Sequence, residues 1–235
     1  MTKESQTLPQ RGFFITGTDT EIGKTWFTVA LMTALKKTGF SVMGMKPFAT
    51  GATATKEGLI NEDARLIMQC SSKKVSYGLV NPFVCESPTA PTIAAKEENI
   101  RLDLDQIIKN YNTLKSMADI MVVEGIGGWR VPITDEYYLS EFVDRLNLSV
   151  ILVVGLRLGC INHAILTAEA IRSDGHSLCG WASNRLDRVY SSGEETVKTL
   201  RKRLNCPHIA DFSYCSDFDS DKLAKQIELS FVQKI

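Results

Sequence analysis

A segment near the start of the chain, residues 12–25, constrains the fold more than any other part of the sequence. Its letters, GFFITGTDTEIGKT, predict a short apolar strand, a polar turn and a helix that opens at Gly23-Lys24-Thr25. Backbone N–H groups in such a turn converge on anionic oxygens, and the helix dipole adds partial positive charge there. Lys24 would then bridge the β- and γ-phosphates of a nucleotide, and the Thr25 hydroxyl would bind Mg²⁺. The segment predicts a phosphate-binding loop.

The spacing of this loop differs from the common pattern G-x-x-x-x-G-K-[ST]. Five residues separate Gly17 from Gly23, so the position of the first glycine falls on Thr18. A Gly-Lys-Thr tripeptide also occurs by chance at helix starts. The apolar strand before it and the apolar-rich run 26–35 after it favour phosphate binding over chance.

Apolar periodicity in the rest of the chain predicts alternating strands and helices. Residues 75–95, which are spaced by prolines, are expected to form an ordered loop that leads into a short helix. The pattern predicts a single doubly wound, mostly parallel α/β sheet flanked by helices, of the P-loop NTPase type. We assign residues 11–235 to this one domain and residues 1–10 to a flexible N-terminal extension. The expected strands after the first cover residues 41–45, 119–125, 149–155 and 178–183, and the expected helices cover residues 24–37, 61–70, 103–117, 138–146, 162–173, 194–204 and 221–231.

The composition limits the kinds of partner and the cellular location that the protein can have. Lysine plus arginine and aspartate plus glutamate number 27 each, so the net charge is zero and no basic excess points to nucleic acid. Six scattered cysteines without a C-x-x-C pair indicate reduced thiols, not disulfides or a zinc site. No apolar run approaches the length of about 18 residues that a membrane span needs. The sequence predicts a cytoplasmic protein that binds neither nucleic acid nor membrane.

Two carboxylates are candidates for a metal site. Glu124 ends a buried predicted strand, where P-loop proteins place an acidic residue that binds Mg²⁺ directly or through water. It could instead cap the amides of the glycine-rich turn 125–128, but the phosphate-binding loop in the same chain favours the metal role. Asp63 lies in the first turn of a predicted helix, where it could bind a metal or simply complement the helix dipole.

Lys46 is a candidate second cation. It lies between the predicted strand 41–45 and Pro47, at the edge of the sheet where ligands gather in open α/β folds. An exposed surface lysine is the ordinary alternative, but a cation beside Lys24 would match the charge that develops during phosphoryl transfer. Thr50 follows on the same loop, so its hydroxyl could approach a substrate.

The segment 157–163 follows the most apolar predicted strand, and the amides that open its helix could also meet a ligand. Cys160 lies in this segment, but no motif supplies it with a base, so a small buried residue is the better interpretation than a nucleophile. The three histidines of the chain are spread out without metal-ligand spacing, and we expect them to be ordinary polar or packed side chains.

Six stretches, in this order along the chain, resemble one enzyme family. They are GTDTEIGKT, KPFATG, the loop from Asn81-Pro82-Phe83 to Pro91, VEGIGGW, VILVVGLRLGCINHA and GWASN. Together they resemble the dethiobiotin synthetase family of the biotin pathway, from Gly12 to Asn184, and the five-residue gap in the loop is this family's own form. The resemblance implies a homodimeric ligase that uses ATP, Mg²⁺ and CO₂ to close a ureido ring on 7,8-diaminononanoate (diaminopelargonate).

The resemblance also implies a reaction order and a set of site residues. One amine takes up CO₂ as a carbamate, the carbamate oxygen attacks the γ-phosphoryl group, and the second amine displaces phosphate. Lys24 and Lys46 are the implied catalytic cations. The implied metal ligands are Thr25, Asp63 and Glu124. The implied ATP-binding residues are Thr20, Glu21, Ile22, Gly23, Lys24, Thr25, Trp26, Asp63, Glu124, Gly125, Ile126, Gly127, Asn184, Arg185, Ser213, Tyr214 and Cys215. The implied substrate-binding residues are Thr50 and, across the dimer interface at the substrate's carboxylate tail, Gly159, Cys160 and Asn162.

Three positions depart from the family pattern. Thr50 stands where serine is frequent and keeps the hydroxyl, and Arg157 stands where lysine is also seen. Segment 210–215 occupies the place of the family's adenine-flanking loop but lacks its usual proline. The choice of ATP over other triphosphates therefore stays open at this point.

Two other classes of protein share parts of this pattern. Partitioning and targeting ATPases usually carry an extra lysine early in the loop, which is missing between Gly17 and Ile22, and a membrane-binding tail, whereas residues 219–235 form no basic amphipathic pattern. The amide-forming synthetases of cobalamin synthesis need a fused glutamine-hydrolysing domain, for which we expect no room in 235 residues.

Overall fold

The computed structural model describes residues 12–188 and 190–232. In chain order its strands are β1 (Gly12–Gly17), β2 (Val42–Met45), β3 (Phe48–Ala49), β4 (Thr53–Thr55), β5 (Gly58–Ile60), β6 (Phe83–Val84), β7 (Ile120–Glu124), β8 (Ser149–Leu156), β9 (Leu178–Arg185) and β10 (His208–Phe212). Its helices are α1 (Lys24–Lys37), α2 (Glu62–Cys70), α3 (Tyr77–Val80), α4 (Pro91–Glu97), α5 (Leu104–Lys115), α6 (Leu139–Asp144), α7 (Cys160–Ser173), α8 (Gly193–Arg203) and α9 (Ser220–Ala224).

Six parallel strands form the central sheet, in the order β10-β9-β8-β1-β7-β2. Strand β1 lies between β8 and β7, so the loop that follows it opens at the middle of the sheet. Ile15 is opposite Glu124, and Met45 is opposite Val123. This register brings the residue after β2, Lys46, level with the last residue of β7. The predicted doubly wound parallel sheet is confirmed.

Apolar layers cover both faces of the sheet, because successive residues of a buried strand point to opposite sides. Phe13 packs in a cluster with α1, while Phe14 packs in a second cluster with α5 and α6. Tyr111 of α5 and Phe142 of α6 are almost fully buried on that second side. Each such side chain stabilises the fold by about 1.5–3 kcal/mol through removal of apolar surface from water.

Several expectations for the later and shorter elements are wrong. The helix expected over residues 221–231 ends at Ala224, because Ile227 forms an antiparallel bridge with Ala210 and Phe231 packs edge-on against Phe13. Residues 208–212, part of which was expected to be loop, form edge strand β10. The segment 75–95 contains α3, β6 and the start of α4, and the hairpin β4–β5 was not expected.

The predicted extension over residues 1–10 lies outside the described residues, and the assignment of one domain to residues 11–235 stays a prediction. None of the described helices is both long and apolar enough to cross a membrane. All six cysteines are unpaired thiols, as their spacing predicts.

Candidate active site

The phosphate-binding loop ends at Gly23, whose backbone has a φ of 87° in the left-handed region. A Cβ at this position would lie 2.1 Å from Nδ2 of Asn184, which donates a hydrogen bond of 3.0 Å to the Ile22 carbonyl. Glycine is therefore required for both conformation and close approach. Helix α1 begins at the next residue, and its first amides are available to an anion because intrahelical bonds leave them unpaired.

Lys24 is buried, and its Nζ donates a hydrogen bond of 2.6 Å to the carbonyl of Asp19. The pKa of Lys24 is lowered to about 8, chiefly by burial and also by the nearby charge of Lys46, against the opposite effect of Glu124, Asp63 and Asp19. An anionic phosphate beside Nζ would stabilise the charged form. The geometry therefore suits a lysine that binds phosphate.

Lys46, Glu124 and Thr25 form a buried cluster at the carboxyl ends of β2 and β7. The Lys46 Nζ donates to Oε1 of Glu124 at 2.6 Å and to the carbonyl of Gly125 at 2.9 Å, and the Thr25 hydroxyl donates to the same Oε1 at 2.8 Å. Burial alone lowers the pKa of Lys46, but the carboxylates of Glu124 and Asp63 outweigh it and raise that pKa. Lys46 is therefore a buried cation and not a flexible surface lysine.

The carboxylate of Glu124 has one oxygen left over. Its Oε2 is fully buried and has no hydrogen-bond partner in the described part of the chain, which is costly for a polar atom. Asp63 lies on the other side of Lys46, with Oδ2 3.6 Å from Nζ, and its side chain is 44% exposed. Together with the Thr25 hydroxyl, these oxygens are the donor type that Mg²⁺ prefers, so the residues fit the implied metal.

The described residues contain no group of three His, Cys, Asp or Glu side chains that could hold a metal ion by themselves. Mg²⁺ is usually held by one or two carboxylates together with substrate phosphates and water, not by a cage made of protein alone.

One cavity of about 510 Å³ joins most of the predicted site residues. Its volume is within the range of about 300–1,000 Å³ that small-molecule sites commonly have. The predicted ATP-binding, metal and substrate residues that line it are Thr20, Glu21, Gly23, Lys24, Thr25, Trp26, Lys46, Thr50, Asp63, Ile126, Gly127, Asn184, Arg185, Tyr214 and Cys215. Three further lining residues, Ala49, Asn61 and Leu186, were not predicted as site residues. Of these, Asn61 is recognisable in the sequence, but only as the N-cap of a predicted helix.

Other predicted site residues do not line this cavity. Glu124 and Gly125 bond to Lys46 without lining the cavity themselves, and Ile22 is a core residue that would contact a Cβ placed on Gly17 or Gly155. Ser213 lies outside the cavity, and its N–H donates to Gln226 at 3.4 Å.

The start of α7 is also separate from the cavity. Gly159, Cys160 and Asn162 are all absent from its lining. Cys160 is 2% exposed, and burial raises the pKa of its thiol, so it is a small buried side chain and not an activated nucleophile. The site-residue assignments at this helix stay predictions for this chain.

Two contacts near the predicted site residues were not predicted from the sequence. Asp211 forms an ion pair of 3.2 Å with Arg185, which lines the cavity, and accepts a hydrogen bond of 2.7 Å from the buried Ser183 hydroxyl. Arg157 pairs with the carboxylate of Asp19 in the phosphate-binding loop. These pairs link residues that are far apart in sequence.

A second and larger cavity of about 1,320 Å³ lies between residues 92–105 and 133–145. None of the predicted site residues lines it. Four of its ionic side chains form two pairs, Lys96 with Asp135 and Arg145 with Asp105, both at 2.6 Å. We therefore place the candidate chemistry in the smaller cavity, which is lined by the buried cations Lys24 and Lys46.

Comparisons with known proteins show the family of this chain. Residues 11–222 match the family model described as an AAA domain. The chain is 41% identical over 219 residues to the ATP-dependent dethiobiotin synthetase BioD of Aromatoleum aromaticum, covering 93% of this chain and 97% of that protein. It is 41% identical over 220 residues to the protein of the same name from Vibrio cholerae, covering 94% and 95%.

Solved structures with a similar fold include the MinC:MinD cell division protein complex of Aquifex aeolicus. The TM-score is 0.53 at 14% identity, covering 96% of this chain and 89% of that one. A ParA family ATPase from Chlorobium tepidum gives a TM-score of 0.52 at 12% identity, covering 96% and 92%. At these identities the likeness shows the fold alone.

The buried cluster generates a prediction about stability. We expect Glu124→Gln to lower the free energy of unfolding of the nucleotide-free protein by about 3 kcal/mol, because it leaves the buried charge of Lys46 without its main anionic partner. Urea denaturation measures this change. The matched control is Asp135→Asn, which breaks an ion pair between exposed side chains and should cost less than about 1 kcal/mol. Equally small losses in both variants would show that Lys46 and Glu124 do not form a buried ion pair.

Proposed function

This chain belongs to the family of ATP-dependent dethiobiotin synthetases, and we propose that it closes the ureido ring of dethiobiotin on 7,8-diaminononanoate, with CO₂ and ATP as co-substrates and Mg²⁺ as cofactor. The observation that carries the proposal is the convergence of Lys24 and Lys46 with the oxygens of Thr25 and Asp63 at one cavity, where Glu124 bonds to both Lys46 and Thr25. A cytoplasmic location, predicted from the scattered cysteines, is part of the same proposal.

The reaction forms two carbon–nitrogen bonds and one transient mixed anhydride. One amine of the substrate bonds to the carbon of CO₂ and loses a proton, giving a carbamate. A carbamate oxygen then attacks the γ-phosphorus of ATP and ADP leaves, giving a carbamic–phosphoric anhydride. The second amine attacks the carbonyl carbon, and phosphate leaves as the ring closes. No step needs a nucleophile from the protein, which agrees with the inert, buried Cys160.

The protein instead supplies position and charge. Lys24 exchanges its bond to the Asp19 carbonyl for the β- and γ-phosphate oxygens, and the first amides of α1 bind the same group. Lys46, fixed by Glu124 on one side, faces the cavity near Thr50, where a carbamate would lie between it and the phosphate. Thr25, Asp63 and Glu124 would hold Mg²⁺, which would supply positive charge to the phosphate oxygens of the nucleotide.

The far end of the cavity suits an adenine base. The Nδ2 of Asn184 uses one of its two N–H groups to donate to the Ile22 carbonyl, so the side-chain oxygen and the second N–H remain for a ligand. An acceptor at this place pairs with the exocyclic amine of adenine and not with the carbonyl oxygen that guanine carries at the equivalent position. Arg185, Tyr214 and Cys215 line the same end, and we propose that they enclose the base.

We predict that labelled bicarbonate enters the product only when ATP, Mg²⁺ and diaminononanoate are all present. Phosphate release should likewise require the diamine and bicarbonate together, because the γ-phosphoryl group passes to the carbamate and not to water. On the purified protein, incorporation of bicarbonate is measured as acid-stable label, and phosphate release is measured by a phosphate assay. ATP hydrolysis that is indifferent to the diamine would contradict the proposal and would favour a nucleotide switch of the kind that shares this fold.

We predict that Lys24→Gln and Lys46→Gln each lower kcat by on the order of 10²–10³, the usual loss when one charge contact to a transition state is removed. Glutamine keeps a donor that can reach Glu124 and so limits the loss of stability at position 46. The control is Lys96→Gln, an exposed lysine outside the cavity, which should retain wild-type kcat. A Lys46 variant with near-normal kcat would remove this residue from the catalytic assignment.

We further propose that the enzyme is a homodimer in which the start of α7 enters the partner's cavity. Leu158, which immediately precedes the predicted tail-binding residues, is 92% exposed, and Leu166 in helix α7 is 56% exposed. Exposed apolar side chains beside a predicted ligand site favour burial against another surface. A twofold dimer would place two such helices against two cavities.

Mixed dimers test this arrangement. Lys46→Gln disables the cavity of its own chain, and Asn162→Asp places a negative charge where the carboxylate tail is expected. If each site combines both chains, mixing the two inactive variants by refolding should restore about a quarter of wild-type activity, because half the dimers are mixed and each has one intact site. Activity no higher than that of the separate variants would exclude a site shared between chains.

A further inference from the structure

The backbone of Lys46 is held by a buried asparagine that no motif predicted as functional. Asn81 is 2% exposed, and its Nδ2 donates to the carbonyls of Lys46 at 2.7 Å and Phe83 at 3.2 Å. The N–H of Lys46 donates to the carbonyl of Val80 at 2.9 Å. Both main-chain polar groups of Lys46 are therefore bonded to the turn at residues 80–81.

The hydroxyl of Tyr77 extends this contact to Asn61, the residue immediately before α2. It donates to Oδ1 of Asn81 at 2.7 Å and accepts from the N–H of Asn61 at 2.8 Å. Asn61 caps α2 by accepting from the N–H of Ala64, and its own Nδ2 donates to the carbonyl of Thr50 at 3.4 Å. One hydroxyl thus connects the backbone of Lys46 to the start of the helix that carries Asp63.

The covalent path from Lys46 to Asn61 is long. Residues 47–60 separate them and include the hairpin β4–β5, in whose first strand, Thr53–Thr55, all three residues are exposed. An exposed two-stranded hairpin is only marginally stable by itself and does not fix the distance between its ends. The Tyr77 hydroxyl makes a shorter connection, and phenylalanine at this position could neither donate nor accept.

We propose that Tyr77 and Asn81 are positioning residues, which hold Lys46 and Asp63 at the separation that phosphoryl transfer needs. The inference rests on the proposed function, because it assigns Lys46 to the reacting groups and Asp63 to Mg²⁺. Tyr77 acts on α2 and Asp63 through the N–H of Asn61, and Asn81 acts on Lys46 through its carbonyl. Neither residue lines the cavity, so both act through others.

The test compares Tyr77→Phe with Tyr111→Phe. The Tyr111 hydroxyl is also buried and donates to the carbonyl of Leu146 at 3.4 Å, but Tyr111 lies outside the cavity lining. Mg²⁺ is titrated into the ATP-bound protein and followed by the fluorescence of Trp26, which lines the cavity. We expect Tyr77→Phe to raise the half-saturating Mg²⁺ concentration about tenfold, the usual loss when a residue supporting a ligand is removed.

Two further measurements separate positioning from general destabilisation. The affinity for ATP without Mg²⁺ should stay within about twofold of wild type in Tyr77→Phe, because the phosphate-binding loop and the base end are untouched, whereas kcat should fall about tenfold. Tyr111→Phe should change none of these values. The titration is run below the melting midpoint of both variants, so that each is compared as a folded protein.

A second variant probes the Lys46 side of the connection. Asn81→Asp keeps the oxygen that accepts from Tyr77 but replaces the donor to the Lys46 carbonyl. We expect kcat to fall about tenfold while the half-saturating Mg²⁺ concentration stays within about twofold of wild type, because the support of α2 is intact.

The outcomes are distinguishable. Wild-type Mg²⁺ affinity in Tyr77→Phe, or an equal shift in Tyr111→Phe, would overturn the positioning role. A wild-type protein that binds ATP and Mg²⁺ but incorporates no bicarbonate would contradict the proposed function instead, and the Mg²⁺ titration would still decide whether Tyr77 supports the cation site.

Discussion

The buried ion pair between Lys46 and Glu124 determines the electrostatics of this site. Removing two charges from water is costly, and a buried ion pair recovers that cost only when every remaining donor and acceptor is bonded. Glu124 accepts from Lys46 and Thr25 through one oxygen, yet its other oxygen is without a partner in the described residues. The arrangement is therefore poorly suited to stability alone, and a bound cation would complete it. Sites that sacrifice stability for ligand binding in this way are common in enzymes.

The sheet brings these groups together from distant parts of the chain. Lys46 and Glu124 are 78 residues apart, but parallel pairing of β2 with β7 places them side by side at one edge. The loop after β1 adds Lys24 and Thr25 to the same edge, because β1 is the other neighbour of β7. Parallel strands thus collect several cations and carboxylates within hydrogen-bonding distance without any local sequence motif that joins them.

The sequence predicts these parts well because each follows a strong local signal. Lys46 and Glu124 come directly after apolar runs, so the ends of two strands could be read from hydrophobicity. Strand β10 and the early end of α9 at Ala224 could not, since the bridge from Ala210 to Ile227 and the packing of Phe231 on Phe13 are decided by tertiary contact. Nor does any local pattern indicate that Asn184 bonds to the carbonyl of Ile22 across 162 residues.

Likeness of fold does not distinguish this chain from the MinC:MinD and ParA structures, which share its fold at 12–14% identity. In the proposed function, the important feature of this chain is where its second positive charge is fixed. A lysine within the phosphate-binding loop can act only on the nucleotide, whereas Lys46 directly follows β2 and lines the cavity together with Thr50. A cation there would stabilise an anionic acceptor beside the γ-phosphate, so that transfer to a carbamate competes with transfer to water. Placing the charge directly after β2 therefore makes the same fold suited to joining two molecules.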